Sequence, residues 1–183
     1  MVKIIGFAGR KQSGKSTAAK HLINHGFKVV SFSRPLKNMV FVLLLDMGFS
    51  ADQVHSFINE DKEEIIPGVR KSARQLLQTL GTEWGRNLIN PDLWVIAAKQ
   101  SLAAVDYDFV VFDDVRFESE AEMIRQLGGV IVHLVRDDDN QVDEHSSECG
   151  LAFFNTDIHI VNDSTLIQFL SDVDDVVNNF VSV

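Results

Sequence analysis

The sequence predicts an α/β protein with a parallel sheet of about five strands and helices on both faces. Short apolar runs alternate with segments of helical periodicity, which is typical of such a sheet. The run at 108–112 is almost continuously apolar, as expected of a strand that is buried on both faces. No repeat, low-complexity tract or linker interrupts the 183 residues, so we expect one domain over 1–183.

The periodicity and the helix-capping residues place each element in turn. Pro35 allows a helix to begin near Leu36, Ser50 is suited to cap a short helix, and Gly128 stops the helix before it. The predicted strands are 3–8, 27–32, 108–112, 130–135 and 158–161. The predicted helices are 15–24, 36–47, a short one from 50, 71–80, 91–104, 118–127 and 166–180.

The composition restricts the class of protein. Hydrophobic residues make up 45% and charged residues 23% of the chain, which is ordinary for a globular protein. The longest apolar runs are too short to span a bilayer, and the first residues enter a strand without a signal-peptide pattern. The single cysteine, Cys149, excludes an internal disulfide and a cysteine-based zinc cage. We therefore expect a cytoplasmic protein with no membrane partner.

The net charge of −9 argues against a general nucleic-acid binder, because such proteins need a basic face that displaces counterions from phosphates. The acidic residues cluster late in the chain, where most are expected to form a solvated surface. A phosphate-bearing ligand must therefore be bound by a few locally placed Arg and Lys side chains.

The clearest motif is the pattern Gly-x-x-x-x-Gly-Lys-Ser at 9–16, between a predicted strand and a predicted helix. Gly9 and Gly14 permit backbone conformations that direct N–H groups at phosphate oxygens. The following helix adds the positive end of its dipole. We expect Lys15 to reach the β- and γ-phosphates of ATP and the Ser16 hydroxyl to bind Mg²⁺, with Thr17 supporting the α-phosphate. A structural turn with a chance Lys-Ser pair is the alternative.

Two adjacent carboxylates, Asp113 and Asp114, follow the buried strand at 108–112. A carboxylate at the tip of a strand beside a phosphate loop can hold the Mg²⁺ shell or orient an attacking hydroxyl. Neighbouring side chains of an extended chain point to opposite sides, so only one of the two should face the site. The other would be a solvated residue at the strand end.

Several stretches together resemble the deoxynucleoside monophosphate kinases of tailed bacteriophages, over residues 1 to about 150. The most specific is LQTLGTEWGR at 77–86. The others are the phosphate loop, FSRPLK at 32–37, DLW at 92–94, DVRFESEA at 114–121 and DEHSSE at 143–148. The resemblance implies a P-loop kinase-type parallel sheet and transfer of the γ-phosphoryl group of ATP, with Mg²⁺, to a deoxynucleoside monophosphate. It also implies an acceptor-binding region at about 33–95 and a phage origin.

The residue types suit a nucleotide substrate. Arginine supplies planar forks for phosphate, and Gln78 lies four residues after Arg74 on one helical face, where it can bond base or sugar. Trp94 is expected to stack on the base, whereas Trp84 is expected in the core. By resemblance, Asp114, Arg116 and Glu120 form one substrate-facing set, which favours Asp114 over Asp113. Arg86 could instead pair with Glu83 on a helix surface.

Chemistry and resemblance together assign three groups of residues. The catalytic group is Lys15, Asp114 and Arg116, with Ser16 as the metal ligand. The predicted ATP contacts are Gly9, Lys11, Ser13, Gly14, Lys15, Ser16, Thr17 and Arg136. The predicted substrate contacts are Arg34, Lys37, Arg74, Gln78, Gly81, Thr82, Trp94, Asp114, Arg116 and Glu120.

The remaining segments and side chains carry weaker signals. Residues 136–150 are expected to form a short, arginine-poor lid over the phosphates. His145 lies in this segment, but phosphoryl transfer between nucleotides needs no histidine base. The other histidines, at 21, 25, 55, 133 and 159, are expected to have no constellation around them. Arg34 and Lys37 could be a solvated helix start.

Three rival functions stay open at the level of sequence. The first is a P-loop kinase of another small acceptor, such as dephospho-coenzyme A or a nucleoside. The second is a regulatory switch that binds a nucleoside triphosphate and hydrolyses it slowly. The third is an interaction protein with an inactive loop, which the intact Lys15 and Ser16 disfavour. A homodimer is left open, and a phage-encoded protein would act in the host cytoplasm.

Overall fold

The computed structural model describes residues 2–104, 106–136, 151 and 154–181. The chain divides into two compact units. The first consists of Met1–Phe32 with Gln100–Val183, and the second is the intervening segment Ser33–Lys99.

The first unit contains the sheet, and the predicted fold class is confirmed. Its strands are β1 (Lys3–Ala8), β2 (Lys28–Val30), β3 (Phe109–Val115), β4 (Val130–Val135) and β5 (Ile158–Val161). They lie in the order β2-β3-β1-β4-β5, and every pairing is parallel. Their carboxyl ends therefore meet at one edge of the sheet. β2 is shorter than predicted, whereas β3 extends to include both aspartates.

The described residues contain seven α-helices. They are α1 (Lys15–Ile23), α2 (Arg34–Asp46), α3 (Ala51–His55), α4 (Ala73–Gln78), α5 (Leu93–Ala103), α6 (Glu118–Gln126) and α7 (Leu166–Val181). Two of them continue with π-helical hydrogen bonding, α3 through Ser56–Glu60 and α4 through Thr79–Ile89. None of the helices in the described ranges combines the length and apolar character that crossing a membrane requires.

The alternation of side chains along β1 separates the two faces of the sheet. Ile5 and Phe7 point to the face covered by α1 and α7, whose core residues include Leu22 and Phe169. Gly6 points to the opposite face, where α6 packs so closely that a Cβ on this glycine would lie 2.7 Å from Ile124 Cδ1. The sheet is thus buried on both sides, as its apolar strands predicted.

The second unit has its own apolar core, formed where α2, α3, α4 and the π-helical turn after α3 meet. The fully buried members are Val40, Leu44, Val54, Ile66 and Ala73. Two capping boxes define helix starts in this unit. Ser50 pairs with Gln53 at the start of α3, as the sequence predicted for Ser50, and Ser72 pairs with Gln75 at the start of α4.

A buried ionic network joins α6, β4 and the turn before β5. The side chain of Asp157 is 1% exposed and accepts two hydrogen bonds from Arg125, at 3.1 and 2.8 Å. It also accepts one from His133 Nε2 at 3.0 Å. Glu118 binds the same guanidinium at 2.7 Å, and the rings of His133 and His159 stack at 5.5 Å. The expectation that these two histidines have no constellation is therefore wrong.

The network shifts the pKa values of its members in different directions. Burial raises the pKa of Asp157, but the hydrogen bonds from Arg125 and His133 outweigh this effect and lower it. Burial lowers the pKa of His133 by more than its bond to Asp157 raises it. Burial also lowers the pKa of Arg125, but its bonds to Asp157 and Glu118 raise it overall. His133 is therefore neutral near pH 7 and donates from Nε2.

We expect acidification from pH 7.5 to pH 5.5 to destabilise the protein partly through His133. The unfolded chain protonates this histidine near pH 6.5 and the folded protein only at lower pH, so protons favour unfolding in this window. Asp157 does not contribute to the change in stability between pH 7.5 and pH 5.5. Its stabilising contribution to the free energy of unfolding is lost only as the pH falls below the unfolded pKa of about 3.9. Urea-induced unfolding at the two pH values would measure the difference.

His133→Gln should reduce the acid-induced loss of unfolding free energy, because it removes the titrating ring; an unfolded pKa near 6.5 limits this reduction to at most about 1.4 kcal/mol. His55→Gln, at an exposed position of the second unit, is the matched control and should retain the wild-type difference. Equal pH dependence in wild type and His133→Gln would contradict the role assigned to His133.

Candidate active site

The phosphate loop between β1 and α1 adopts the strained backbone that its glycines permit. Gly9 has φ 141°, Gly14 has φ 108°, and Gln12 has φ 66°. A Cβ on Gly9 would lie 2.4 Å from the carbonyl oxygen of Leu134 and 2.7 Å from Ser13 Oγ. Only glycine fits this position, because both its conformation and its space exclude a side chain.

Asn162, the residue after β5, holds the loop from the neighbouring strand ends. Its Nδ2 donates to the carbonyl oxygen of Ser13 at 3.0 Å, and its own N–H donates to the carbonyl oxygen of Val135 at 2.7 Å. A Cβ on Gly14 would lie 2.8 Å from the same Nδ2 and 2.9 Å from the ring of Phe169. Sequence reasoning missed Asn162, since no local pattern links it to a residue 149 positions earlier.

Lys15 and Arg136 both donate hydrogen bonds to the backbone of the loop. Lys15 Nζ donates to the carbonyl oxygens of Gly9, at 2.6 Å, and of Arg10, at 2.5 Å, so the ammonium group lies across the loop backbone. Arg136, which follows β4, donates from Nη1 to the carbonyl oxygen of Gln12 at 3.4 Å. The structure thus brings together the predicted ATP residues from the ends of β1 and β4.

Two structural observations indicate that the loop can bind a nucleotide phosphate. Ser13 is buried, and its Oγ makes no hydrogen bond within the described part of the chain. The two glycines leave a cradle that a Cβ would fill. Ser16 and Thr17 lie in the first turn of α1 with exposed side chains, where the helix dipole favours anions, and Lys11 is exposed on the loop.

The two aspartates at the end of β3 differ in their contacts. Asp114 Oδ2 accepts a hydrogen bond from Ser31 Oγ at 2.5 Å, and its Oδ1 accepts one from Phe32 N–H at 2.9 Å. Its carboxylate therefore ties β3 to the chain that follows β2. Asp113 is half-buried beside it. Both carboxylates lie at the edge of the sheet that carries the phosphate loop.

Glu120 fixes the turn that carries Arg116. It is 3% exposed, and its Oε2 accepts hydrogen bonds from the N–H groups of Arg116, at 2.8 Å, and of Phe117, at 3.2 Å. This carboxylate caps α6 and holds the backbone of Arg116. The Arg116 side chain is exposed at the same edge.

The predicted acceptor residues outside this set lie in the second unit. Arg74 and Gln78 occupy one face of α4, and Arg74 Nη1 lies 3.5 Å from Glu63 Oε1. Arg34 and Lys37 lie in the first turn of α2. Gly81 and Thr82 lie in the π-helical continuation of α4, and Arg86 in its last turn donates to the carbonyl oxygen of Pro91 at 3.0 Å.

Trp94 does not offer the open stacking surface expected from the sequence. It is 5% exposed, its Nε1–H donates to the carbonyl oxygen of Gly81 at 2.8 Å, and a Cβ on Gly85 would lie 2.4 Å from its ring. These contacts make Trp94 a packing residue that holds the π-helical segment. Trp84, expected in the core, is instead 37% exposed. Trp94 is therefore the buried tryptophan and Trp84 the more exposed one, the opposite of what the sequence predicted.

The predicted lid falls almost entirely outside the described residues. Of the segment at 136–150, only Arg136 is described, and its contact with the loop has been given. The DEHSSE stretch at 143–148 and His145 lie outside the described residues.

Comparison with known proteins gives a consistent family. A model of the family described as deoxynucleotide monophosphate kinase matches residues 43–173. A protein of Acanthamoeba polyphaga mimivirus, provisionally named a deoxynucleotide monophosphate kinase, is 33% identical over 96% of both chains. The deoxynucleoside-5'-monophosphate kinase of Escherichia phage T5 is 35% identical over 51% of this chain and 40% of its own length.

The fold has a counterpart among solved structures. TT1252 from Thermus thermophilus covers 97% of both chains with a TM-score of 0.55 at 14% identity, a likeness that shows the fold alone.

We expect Asn162→Ala to weaken ATP binding while leaving the protein folded. The substitution removes one hydrogen bond to the loop, worth about 1 kcal/mol, so the Kd for ATP should rise roughly fivefold. Titration with a fluorescent ATP analogue would measure the Kd, and Asn179→Ala on the exposed side of α7 is the control. Unchanged affinity in Asn162→Ala would show that the loop keeps its shape without this bond.

Proposed function

This chain belongs to the deoxynucleotide monophosphate kinase family, and we propose that it transfers the γ-phosphoryl group of ATP to a deoxynucleoside 5'-monophosphate, giving the diphosphate and ADP. The observation that supports the donor half most directly is the phosphate loop, with Lys15 lying across it and Arg136 at its margin. The family match supports the acceptor class.

Each part of the donor site has a chemical task. The loop N–H groups and the start of α1 bind the phosphate chain, and Lys15 exchanges its carbonyl partners for β- and γ-phosphate oxygens. In-line transfer needs positioning and charge stabilisation rather than a covalent intermediate. Bound Mg²⁺ would neutralise charge that develops between the phosphates. Ser16 and a carboxylate at the end of β3 are the residues suited to hold it.

We assign Arg116 to the acceptor phosphate, because Glu120 fixes its backbone at the edge of the sheet that carries the loop. Arg34, Lys37, Arg74, Gln78, Gly81 and Thr82 form the remaining acceptor set, on the second unit. Hydrogen bonds from Ser31 and Phe32, which follow β2, hold the carboxylate of Asp114 in place. We assign this carboxylate to orienting the acceptor.

The setting of the enzyme is part of the same proposal. Phage and giant-virus relatives support action in the cytoplasm of an infected host, on small nucleotides rather than on nucleic acid. The net charge of −9 fits that restriction. Pairing into a homodimer would be tested by the mass in solution.

A coupled assay with ATP and Mg²⁺ tests the reaction. Each common deoxynucleoside and ribonucleoside monophosphate is offered as acceptor, next to dephospho-coenzyme A and a nucleoside. We expect turnover with one or more deoxynucleoside monophosphates. Turnover only with dephospho-coenzyme A or the nucleoside would move the chain to another kinase class, and acceptor-independent hydrolysis alone would favour a switch.

We expect Lys15→Ala to abolish transfer and leave the fold intact, because it removes a cation from the γ-phosphate and no core packing. Lys20→Ala, an exposed substitution on the same helix, is the matched control and should retain wild-type kcat. Retention of more than about a tenth of kcat in Lys15→Ala, a loss under about 1.4 kcal/mol, would overturn the role of Lys15.

We expect Arg116→Ala to lower kcat/KM for the monophosphate by a much larger factor than it raises the Kd for ATP. The guanidinium is assigned to the acceptor phosphate, which a planar fork binds through two hydrogen bonds. Arg116→Lys should recover part of the loss, since the charge remains. Equal losses for both nucleotides would remove Arg116 from the acceptor site.

A further inference from the structure

Three side chains with metal-binding chemistry meet at the far end of α1 from the phosphate loop. His21 lies in the last turn of α1, His25 follows the end of that helix, and Asp174 lies on α7. His21 Nε2 is 2.7 Å and His25 Nε2 is 3.1 Å from the same oxygen, Asp174 Oδ1. The sequence expectation of no constellation at these two histidines is therefore wrong.

The cluster is compact and accessible. One ligand atom from each of the three residues lies within 4.8 Å of the other two. The side chains of His21, His25 and Asp174 are 20%, 38% and 33% exposed, so an ion can enter without unfolding either helix. The imidazole planes are tilted by 55°, with centroids 5.0 Å apart, and both Nε2 atoms converge on one carboxylate oxygen.

The donor set selects the class of cation. Two imidazole nitrogens and one carboxylate oxygen suit Zn²⁺ and similar transition metals, whereas Mg²⁺ prefers oxygen ligands. In a tetrahedral site with bonds of about 2.1 Å, ligand atoms lie about 3.4 Å apart. The present separations of 2.7 and 3.1 Å would therefore have to open by less than about 1 Å.

The surroundings favour a positive charge. The carboxyl end of α1 carries the negative end of its helix dipole, and the chain as a whole has a net charge of −9. His21, the member of the cluster nearest to the phosphate loop along α1, lies six residues after Lys15, or about 9 Å along the helix axis at 1.5 Å per residue. The cluster is thus distinct from the Mg²⁺ position proposed at Ser16.

We propose that His21, His25 and Asp174 bind a divalent transition-metal ion of the Zn²⁺ class, with water completing the coordination. The ion links the carboxyl end of α1 to the middle of α7. Because Phe169 of α7 also packs near Gly14, where a Cβ would lie 2.9 Å from its ring, the ion would brace α7 along the helix that presents the phosphate loop.

Metal binding is tested on the full chain after treatment with a chelator, without using enzyme activity. Calorimetric titration with Zn²⁺ should give one site that is lost or weakened at least tenfold in Asp174→Asn and in His25→Asn. Asp175→Asn makes the same charge change at the next, exposed residue of α7, and His55→Asn removes an exposed histidine elsewhere. Both controls should bind as wild type does.

A second readout is thermal stability. At a Zn²⁺ concentration 100-fold above Kd, Tm should rise by roughly 5 °C in wild type and in both controls. In Asp174→Asn and His25→Asn the same addition of Zn²⁺ should leave Tm unchanged. Co²⁺ adds a direct signature, since a site with nitrogen ligands gives visible absorption bands that Asp174→Asn should change.

Absence of Zn²⁺ binding by the wild type would overturn the proposal. Equal Zn²⁺ binding by wild type, Asp174→Asn and His25→Asn would overturn it as well. In either case the three residues form only a hydrogen-bonded cluster. Circular dichroism of each variant ensures that a lost signal reflects a lost ligand. If Asp174→Asn does not fold, His25→Asn decides, since that side chain is more exposed.

Discussion

Gly9 and Leu134 approach so closely that no side chain fits between the phosphate loop and the end of β4. This contact, with the bond from Asn162 to Ser13, holds the loop against the ends of two strands that follow it in sequence by more than a hundred residues. The shape of the loop therefore depends on the ends of β4 and β5. Ser13, Lys15 and Arg136 take their positions from that arrangement, and so does the chemistry proposed for them.

The second unit depends on a different constraint, the packing of Trp94 against a glycine. With a Cβ at Gly85 the indole would not fit, and its N–H would lose the carbonyl oxygen of Gly81. The continuation of α4 through Thr79–Ile89 is π-helical, an arrangement that is rare and often found at functional sites. The stretch at 77–86, which carried most of the sequence resemblance, thus lies largely in this π-helical segment.

The sequence predicted what local patterns encode. The apolar runs predicted the strands, the glycine pattern predicted the phosphate loop, and Ser50 predicted a helix start. It could not predict contacts between residues that are distant along the chain, such as His21 with Asp174, because no short-range periodicity records them. Trp84 and Trp94 were misjudged for a related reason, since the burial of an aromatic ring depends on which neighbours lack side chains.

The order of the strands has a consequence for how the chain acquires its structure during synthesis. Of the five strands, β1 is translated first, but its two neighbours in the sheet are β3 and β4. Lys3 can therefore pair with Phe109 only after more than a hundred further residues have been translated. The second unit, in contrast, is continuous in sequence and can collapse on its own as it emerges. Translation thus leaves an apolar strand unpartnered while the inserted unit folds, and a ribosome that pauses before β3 would prolong the exposure of that strand to aggregation or to chaperones.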